Sequence, residues 1–338
     1  MKTLKQVLGL LVFLTTLVLV LGGAGFFWAA EQFRKPGNFE SPVEITIAPG
    51  SNIGGIADQL LYAGAIDQRQ IFKYGGRLTG QATKLKAGEY EIPPHASMKE
   101  ILDLFESGKT IQRNVTIPEG LTNFEIRRLL LQNESLQKAE FEMRPEGSYL
   151  PETYSFAKTD TIADIMDRMA AAMQTTLDEL WNKRSENLPF KTKEEAVILA
   201  SIVEKETGKP EERARVAGVF INRLMKNIPL QSDPTVIYAL TLGENKNDGQ
   251  GPLGRRLLKK DLEFDSPYNT YLYPGLPPGP IANPGRASLE AVLNPKRHDY
   301  LYFVADGTGG HVFSATLEEH NRNVAKWREI RKNNQSAE

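Results

Sequence analysis

Two glutamates near the middle of the chain have the setting that acid–base chemistry requires. Glu204 and Glu206 flank Lys205 directly after residues 196–203, a run with a single polar side chain. A helix that is apolar on most faces is normally buried, and burial makes it costly to ionise a carboxyl group. A carboxyl group with a raised pKa can donate a proton near neutral pH. The pattern therefore indicates a general acid, although a charged and solvated helix end would have the same sequence.

Helical phase separates the two glutamates. At about 100° per residue, one apolar stripe contains Ala196, Leu199, Ala200 and Val203. Glu206 lies roughly 60° from the middle of this stripe, and Glu204 lies roughly 100° away on the other side. The two carboxylates therefore occupy opposite flanks and cannot act as a face-to-face pair. The phase favours Glu206 as the more enclosed acid.

The elements that position these residues follow from periodicity and capping signals. Helices are predicted at 53–64, 68–78, 97–107, 122–131, 161–183, 192–208, from 210, from 233, and from 316 to about 331. Strands are predicted at 43–48, 86–92 and 115–120, with a hairpin at 300–304 and 311–314. Residues 146–156 and 266–287 are predicted to be loops. The fold class is therefore α+β.

Composition excludes several kinds of site. The chain has no cysteine, which excludes disulfides, thiolate catalysis and cysteine-bound zinc. The four histidines have no His-Glu-x-x-His spacing, so no metal site and no cofactor are expected. A formal charge of -1 gives no reason to expect a nucleic acid as partner.

The N-terminal segment has the length and composition of a membrane span. Residues 7–30 are nearly all apolar and would span roughly 36 Å as a helix, against about 30 Å of bilayer hydrocarbon. Phe26, Phe27 and Trp28 are typical of a membrane interface. A cleaved signal peptide is the alternative, because Trp28-Ala-Ala30 resembles a small-residue cleavage site. An uncleaved anchor is preferred, since the apolar run is longer than a usual signal core.

Three domains are predicted. Residues 1–35 hold a cytoplasmic N-terminus, the transmembrane anchor and the start of a linker. Residues 36–110 have the order strand, helix, helix, strand of a compact α+β module and resemble a LysM-like domain, a fold that holds polymers containing N-acetylglucosamine. Residues 111–338 form a larger, mixed α/β catalytic domain.

Two further stretches carry polar groups suited to a sugar. Asp233 and Pro234 predict a helix start with the aspartate as cap. A helix start alone explains the polar side chains of Gln231, Ser232 and Thr235 less well. The loop 266–287 is dense in Pro, Gly, Tyr and Asn, which is typical of a binding loop. Tyrosine rings beside amide side chains can stack on sugar rings and bond their acetamido groups, although a peptide would suit them too.

Several blocks together resemble the YceG-like family, which includes endolytic murein transglycosylases. The blocks are 200–206 (ASIVEKE), 219–224 (VFINRL), 230–238 (LQSDPTVIY), 268–271 (YNTY), 275–281 (GLPPGPI) and 302–307 (YFVADG). The resemblance extends from the anchor to the last helix and implies that Glu206 is catalytic. It also implies a substrate, the bond between N-acetylmuramic acid and N-acetylglucosamine in peptidoglycan glycan strands.

The implied chemistry needs one carboxyl group, which donates a proton to the glycosidic oxygen and then activates the muramic C6 hydroxyl to give a 1,6-anhydro end. The candidate substrate-binding residues are Gln231, Ser232, Asp233, Thr235, Tyr238, Asn269, Thr270, Tyr271 and Asn283. Whether Glu204 assists stays open. Two other classes remain: a glycan hydrolase with Asp233 or Glu152 as second carboxylate, and a non-enzymatic wall-binding adaptor anchored in the membrane.

The resemblance also implies a location. It places the protein in the bacterial inner membrane, spanning it once, with the catalytic domain in the periplasm. There it would act on nascent strands near peptidoglycan synthases and terminate their elongation.

Overall fold

The computed structural model describes residues 2–244 and 252–335. Residue 1, where the first predicted domain begins, and residues 336–338, where the third ends, lie outside this description. The chain forms two compact units, Met1–Arg113 with Ser155–Thr159, and Asn114–Tyr154 with Asp160–Glu338. Helices and strands are mixed along the chain, and one apolar helix stands at the N-terminus, so the predicted α+β class is confirmed.

The first unit begins with a long helix, α1 (Lys2–Arg34). Within it, Gln6–Arg34 is apolar and long enough to cross a membrane, and none of its most apolar window is buried. The end of α1 belongs to the core of the unit, because Phe33 is 7% exposed. Its ring lies 2.5 Å from where a Cβ on Gly75 would stand, so the glycine is required for this close approach.

The rest of the first unit has the predicted order strand, helix, helix, strand. Strand β1 (Val43–Ile47) pairs antiparallel with β2 (Gly88–Ile92), and α2 (Ile53–Tyr62) and α3 (Arg69–Leu78) connect them. Helix α4 (Met98–Ser107) follows, with the capping box of Ser97 and Glu100 at its start and Gly108 in the left-handed region at its end. The likeness to a LysM-like domain stays a prediction.

The second unit is mostly helical. Its helices are α5 (Asn123–Gln132), α6 (Ile162–Asn182), α7 (Lys193–Glu206), α8 (Pro210–Met225), α9 (Asp233–Thr241), α10 (Arg286–Leu293) and α11 (Leu317–Gln335), with a 3₁₀ helix at Lys259–Glu263. The remaining strands of the chain are β3 (Arg113–Thr116), β4 (Thr153–Phe156), β5 (Tyr302–Ala305) and β6 (His311–Ser314). Strand β3 pairs with β4, and β5 pairs antiparallel with β6 as the predicted hairpin.

Helix α7 is the centre of the second core, as predicted. All eight residues from Ala196 to Val203 are buried, and the helix packs against α8 and α10. Burying eight successive side chains contributes a large favourable hydrophobic free energy, at roughly 25 cal/mol per Å² of apolar surface. The position of the end of α7 is therefore fixed by packing.

Three elements differ from the prediction. Strand β4 lies inside the stretch 146–156, which was predicted to be a loop. The strand has only four residues, with Gly and Pro nearby, so its alternation of polar and apolar residues is too short to recognise. Helix α10 was not predicted, since its N-cap Gly285 provides no side-chain bond that would mark its start. The 3₁₀ helix, five residues long, also lacks a periodic signal.

Candidate active site

The site is built on the C-terminal end of α7. The helix starts with the predicted capping box, in which Thr192 accepts from the Glu195 amide and Glu195 accepts from the Thr192 amide. It ends at Glu206, because Thr207 is extended and Pro210 opens α8. Glu206 therefore stands in the last turn of a helix that the core holds in place.

Glu206 is a partly buried acid with a strong hydrogen bond. Its Oε1 accepts from the Ser232 hydroxyl at 2.5 Å. Burial is the largest cause that raises the pKa of Glu206, and the nearby charge of Asp233 adds to it. The Ser232 bond, His311 and Arg223 act in the opposite direction, and the resulting pKa is about 7. A carboxyl group with this pKa is half protonated at neutral pH and can donate a proton.

Glu204 has a different environment on the other flank of α7. Its Oε2 accepts from the Gly285 amide at 2.9 Å, and its Oε1 lies 3.5 Å from an Arg213 guanidinium nitrogen. The Glu204 side chain is 5% exposed, so Glu204 is enclosed as well, and the ion pair with Arg213 is what distinguishes it. This carboxylate joins α7 to α8 and to the start of α10.

The start of α9 brings Ser232 and Asp233 to Glu206. The prediction that Asp233 caps α9 is wrong: Ser232 is the N-cap residue, and neither side chain caps the helix. The Ser232 hydroxyl donates to Glu206 instead, and a hydrogen bond to a carboxylate is stronger than one between neutral groups. Asp233 accepts from the Tyr271 hydroxyl at 2.7 Å. Burial raises the pKa of Tyr271, which therefore keeps its proton.

Gln231 stands in a strained conformation immediately before this pair. Its φ of 53° lies in the left-handed region, which non-glycine residues rarely adopt. Its amide donates to the Thr270 carbonyl at 3.0 Å, and its side-chain oxygen lies 3.4 Å from Arg223. Strain of this kind is common at functional sites.

Four other candidates are buried. They are fully or almost fully enclosed: Thr235, Asn269, Thr270 and Asn283. The threonine hydroxyls bond each other at 2.8 Å, and the Asn269 amide donates to the Leu262 and Phe264 carbonyls. The structure thus places Ser232, Asp233 and Tyr271 near Glu206, with Gln231 directly before Ser232. Thr235 and Thr270 support this segment, whereas Asn283 bonds Asn123 and Glu146 instead.

Tyr238 lies apart, beside Glu146 and Tyr268. Its hydroxyl is 3.4 Å from Glu146, and its ring centroid is 4.9 Å from that of Tyr268.

Two residues close to Glu206 were not among those predicted from the sequence. Arg223 is 8% exposed and donates to the carbonyls of Leu230 and Leu301, so it fixes the segment before α9. A charged residue beside the apolar stripe of α8 was the signal that could have identified it. His311 contributes positive charge near Glu206 and contacts Glu212 through Nδ1 at 2.7 Å.

A second acid with a raised pKa was also missed. Glu146 accepts from the Asn123 amide at 2.8 Å and from the Asn283 side chain at 3.0 Å. Burial raises the pKa of Glu146 to about 7, although these hydrogen-bond donors oppose the shift. The folded chain therefore holds this proton up to about pH 7, whereas an unfolded chain loses it near pH 4.3.

The Glu146→Gln variant is expected to gain stability relative to wild type as the pH rises. Between about pH 4.5 and 7 the folded state binds the extra proton, so wild-type stability contributed by Glu146 falls across this window. The difference in unfolding free energy between variant and wild type should change by about 2–3 kcal/mol between pH 4 and pH 8. Urea unfolding measures it. The Glu186→Gln variant, at an exposed position, serves as control. A difference in unfolding free energy that does not change with pH for either variant would contradict the prediction.

Comparison with known proteins identifies the family. The model of the YceG-like family matches residues 45–326 of this chain. The chain belongs to the YceG-like family. The sequence-based resemblance is thereby confirmed.

Relatives of this YceG-like protein carry a functional name. It is 33% identical to the endolytic murein transglycosylase of Bacillus subtilis (strain 168), over 91% of each chain. It is also 33% identical to the endolytic murein transglycosylase of Streptococcus pneumoniae D39, covering 86% of this chain and 59% of that protein. The pneumococcal relative is thus much longer than the part that this chain matches.

A solved structure supports the fold. The 2.6 Å crystal structure of a YceG-like protein from Listeria monocytogenes is 33% identical, with a TM-score of 0.51. The match covers 84% of this chain and 99% of the other.

Proposed function

We propose that this YceG-like protein is an endolytic murein transglycosylase with Glu206 as its catalytic acid. The observation that carries the proposal is the partly buried Glu206, with a pKa of about 7 and a bond from Ser232. The name of its relatives supports the substrate, the glycan strand of peptidoglycan. Cleavage of nascent strands within their length would end their elongation.

The reaction follows from one carboxyl group. Protonated Glu206 donates to the oxygen between N-acetylmuramic acid and N-acetylglucosamine, and that C–O bond breaks as positive charge develops at the muramic C1. The Glu206 carboxylate then accepts the proton of the muramic C6 hydroxyl, while the oxygen of that hydroxyl forms a bond to C1. The products are a 1,6-anhydromuramic end and a free N-acetylglucosamine 4-hydroxyl, and Glu206 recovers its proton.

The neighbours of Glu206 would orient the sugar. Asp233 and Tyr271 lie near Glu206, Asp233 is already held by the Tyr271 hydroxyl, and Gln231 directly precedes Ser232. The negative charge of Asp233 would stabilise the developing positive charge at C1. Thr235, Asn269, Thr270 and Asn283 would keep the loops in shape, because their polar groups are bonded within the protein.

A two-carboxylate hydrolase is the second candidate, favoured by the closeness of Asp233 to Glu206. Product masses after digestion of purified murein separate the candidates. We expect anhydro ends. Reducing ends, heavier by one water, would show hydrolysis. Intact strands would support the adaptor, for which Glu206 is only a helix-end charge.

Ser232→Ala tests the hydrogen bond to the acid. The Ser232 hydroxyl lowers the pKa of Glu206, so its removal should raise that pKa. The wild-type cleavage rate should fall above about pH 7, as the acid loses its proton. In the variant this fall should move up by about half to one pH unit. The rate of anhydro-end formation against pH measures it, and a downward shift would contradict the assignment.

The domain plan and location are part of the same proposal. Residues 1–35 would anchor the protein in the inner membrane through α1, residues 36–110 would form a LysM-like module that binds glycan, and residues 111–338 would form the catalytic domain in the periplasm beside peptidoglycan synthases. A C-terminal reporter active only in the cytoplasm would contradict the orientation. Failure of glycan strands to protect residues 36–110 from hydrogen exchange in the full chain would remove the sugar-binding role.

A further inference from the structure

An apolar cleft lies within the first unit, where α1 meets α3. Its volume is about 300 Å³, and its walls include Phe26 and Ala30 of α1 and Ile71 and Leu78 of α3. Most of its lining surface is apolar, although it opens to solvent. An open apolar cleft of this size can hold part of a hydrocarbon chain.

The outer face of α3 is unpartnered and apolar. Tyr74 and Leu78, one turn apart, are 54% and 74% exposed. The opposite face already packs in the core through Phe72 and Gly76. The pair on the outer face is therefore only partly covered within the unit, and contact of its exposed apolar surface with water is unfavourable.

The cleft is continuous with the apolar part of α1. A bilayer core accommodates about 20 helical residues, so a span that starts at Val7 reaches the interface near Phe26. Trp28 follows, 53% exposed, and indole rings prefer this depth. The cleft thus starts where the apolar run leaves the hydrocarbon, at the depth of lipid headgroups.

The charges around the cleft suit a phosphate. Arg34 is exposed and lines the cleft, and none of the described lining residues is a carboxylate. Lys99 also lines the cleft, but its ammonium is paired with Asp103, so Arg34 is the cation offered to a phosphate. Lys73 and Arg77 flank the apolar face of α3. Apolar side chains next to cationic ones are the pattern of an interfacial helix on an anionic membrane.

We propose that this cleft binds an anionic phospholipid of the adjacent leaflet. One acyl chain lies against Phe26, Ile71 and Leu78, and the headgroup phosphate lies beside Arg34. The inference rests on the proposed membrane anchor and is independent of the chemistry at Glu206. It makes α3 a second membrane contact of the first unit.

Photo-crosslinking in nanodiscs tests the site. The full-length protein is placed in phosphatidylcholine discs containing phosphatidylglycerol with a diazirine in one acyl chain, and labelled peptides are identified by mass. We expect labels on α1 and on α3. Leu78→Gln should lower α3 labelling by roughly fivefold or more and leave α1 labelling unchanged. Leu317→Gln, an exposed leucine of the second unit, is the matched control and should change neither.

The headgroup is tested by changing the probe. Arg34→Gln should lower labelling of α3 by the phosphatidylglycerol probe more than labelling by a phosphatidylcholine probe, because the choline group of the second lipid already neutralises its phosphate. Equal labelling of wild-type α3 by the two probes would overturn the anionic lipid. Labels on α1 with α3 no more labelled than α6 would overturn the cleft alone. Absence of labels on both α1 and α3 would overturn the membrane anchor and the lipid-binding cleft together. Murein cleavage by the same preparation reports separately on the proposed activity.

Discussion

Replacing Glu206 with glutamine is expected to lower the rate of murein strand cleavage by about 10²–10⁴-fold. Glutamine has nearly the same shape and can still accept from Ser232, but it has no proton to transfer. The acid is half protonated near pH 7, so the variant loses little favourable charge interaction and should unfold at a similar or higher urea concentration. The rate of anhydro-end formation, with an unfolding curve for each variant, measures both expectations.

Glu204→Gln is the matched control on the same turn. It weakens the contact with Arg213 and removes no catalytic group, so stability should fall while the cleavage rate changes by less than about tenfold. A Glu206→Gln variant that cleaves at the wild-type rate would exclude this residue as the acid. Equal losses of rate in both variants would show that the site responds to any change at the end of α7.

The Asn283→Ala variant should lose about 3–5 kcal/mol of stability. The Asn283 side chain is fully buried and accepts from the Tyr149 amide at 3.0 Å. Its two amide hydrogens are shared among three acceptors within 3.0 Å, the Leu121 carbonyl, the Asn123 side-chain oxygen and the Glu146 carboxyl group. Alanine would leave several of these groups buried without partners. Urea unfolding provides the measurement.

Two comparisons make this prediction specific. Gln174→Ala removes an exposed amide that bonds only Asp178 among its described neighbours, and it should change stability by less than about 0.5 kcal/mol. If the Asn283→Ala variant is as stable as wild type but no longer binds glycan strands, Asn283 is instead a substrate ligand, the role for which the sequence made it a candidate.

Local signals were sufficient for much of the fold. Helices α5 and α7 begin with capping boxes where Thr122 and Thr192 predict them. The apolar run before Glu206 predicted a buried helix, and it is the core of the second unit. These features depend on neighbours within one or two turns, which a single sequence displays.

The candidate site depended on contacts that no local pattern contains. Asn283 and Glu146 are 137 positions apart, so neither the bond between them nor the raised pKa of Glu146 was predictable. The same limit produced the wrong cap at α9, because Ser232 finds its partner on another helix. Tyr271 was predicted as a sugar ligand from its loop, but its bond to Asp233 required the fold.

The enclosure of α7 restricts how this protein can change in evolution or in a selection experiment. Ala196–Val203 are buried without a break, so in a randomised library the surviving variants should keep nearly the original side-chain volume at each of these positions. Leu272 and Tyr273, 47% and 45% exposed on the loop beside Tyr271, have no such restriction. New preferences among glycans should therefore arise by substitutions in that loop, while the helix that holds the acid stays nearly invariant.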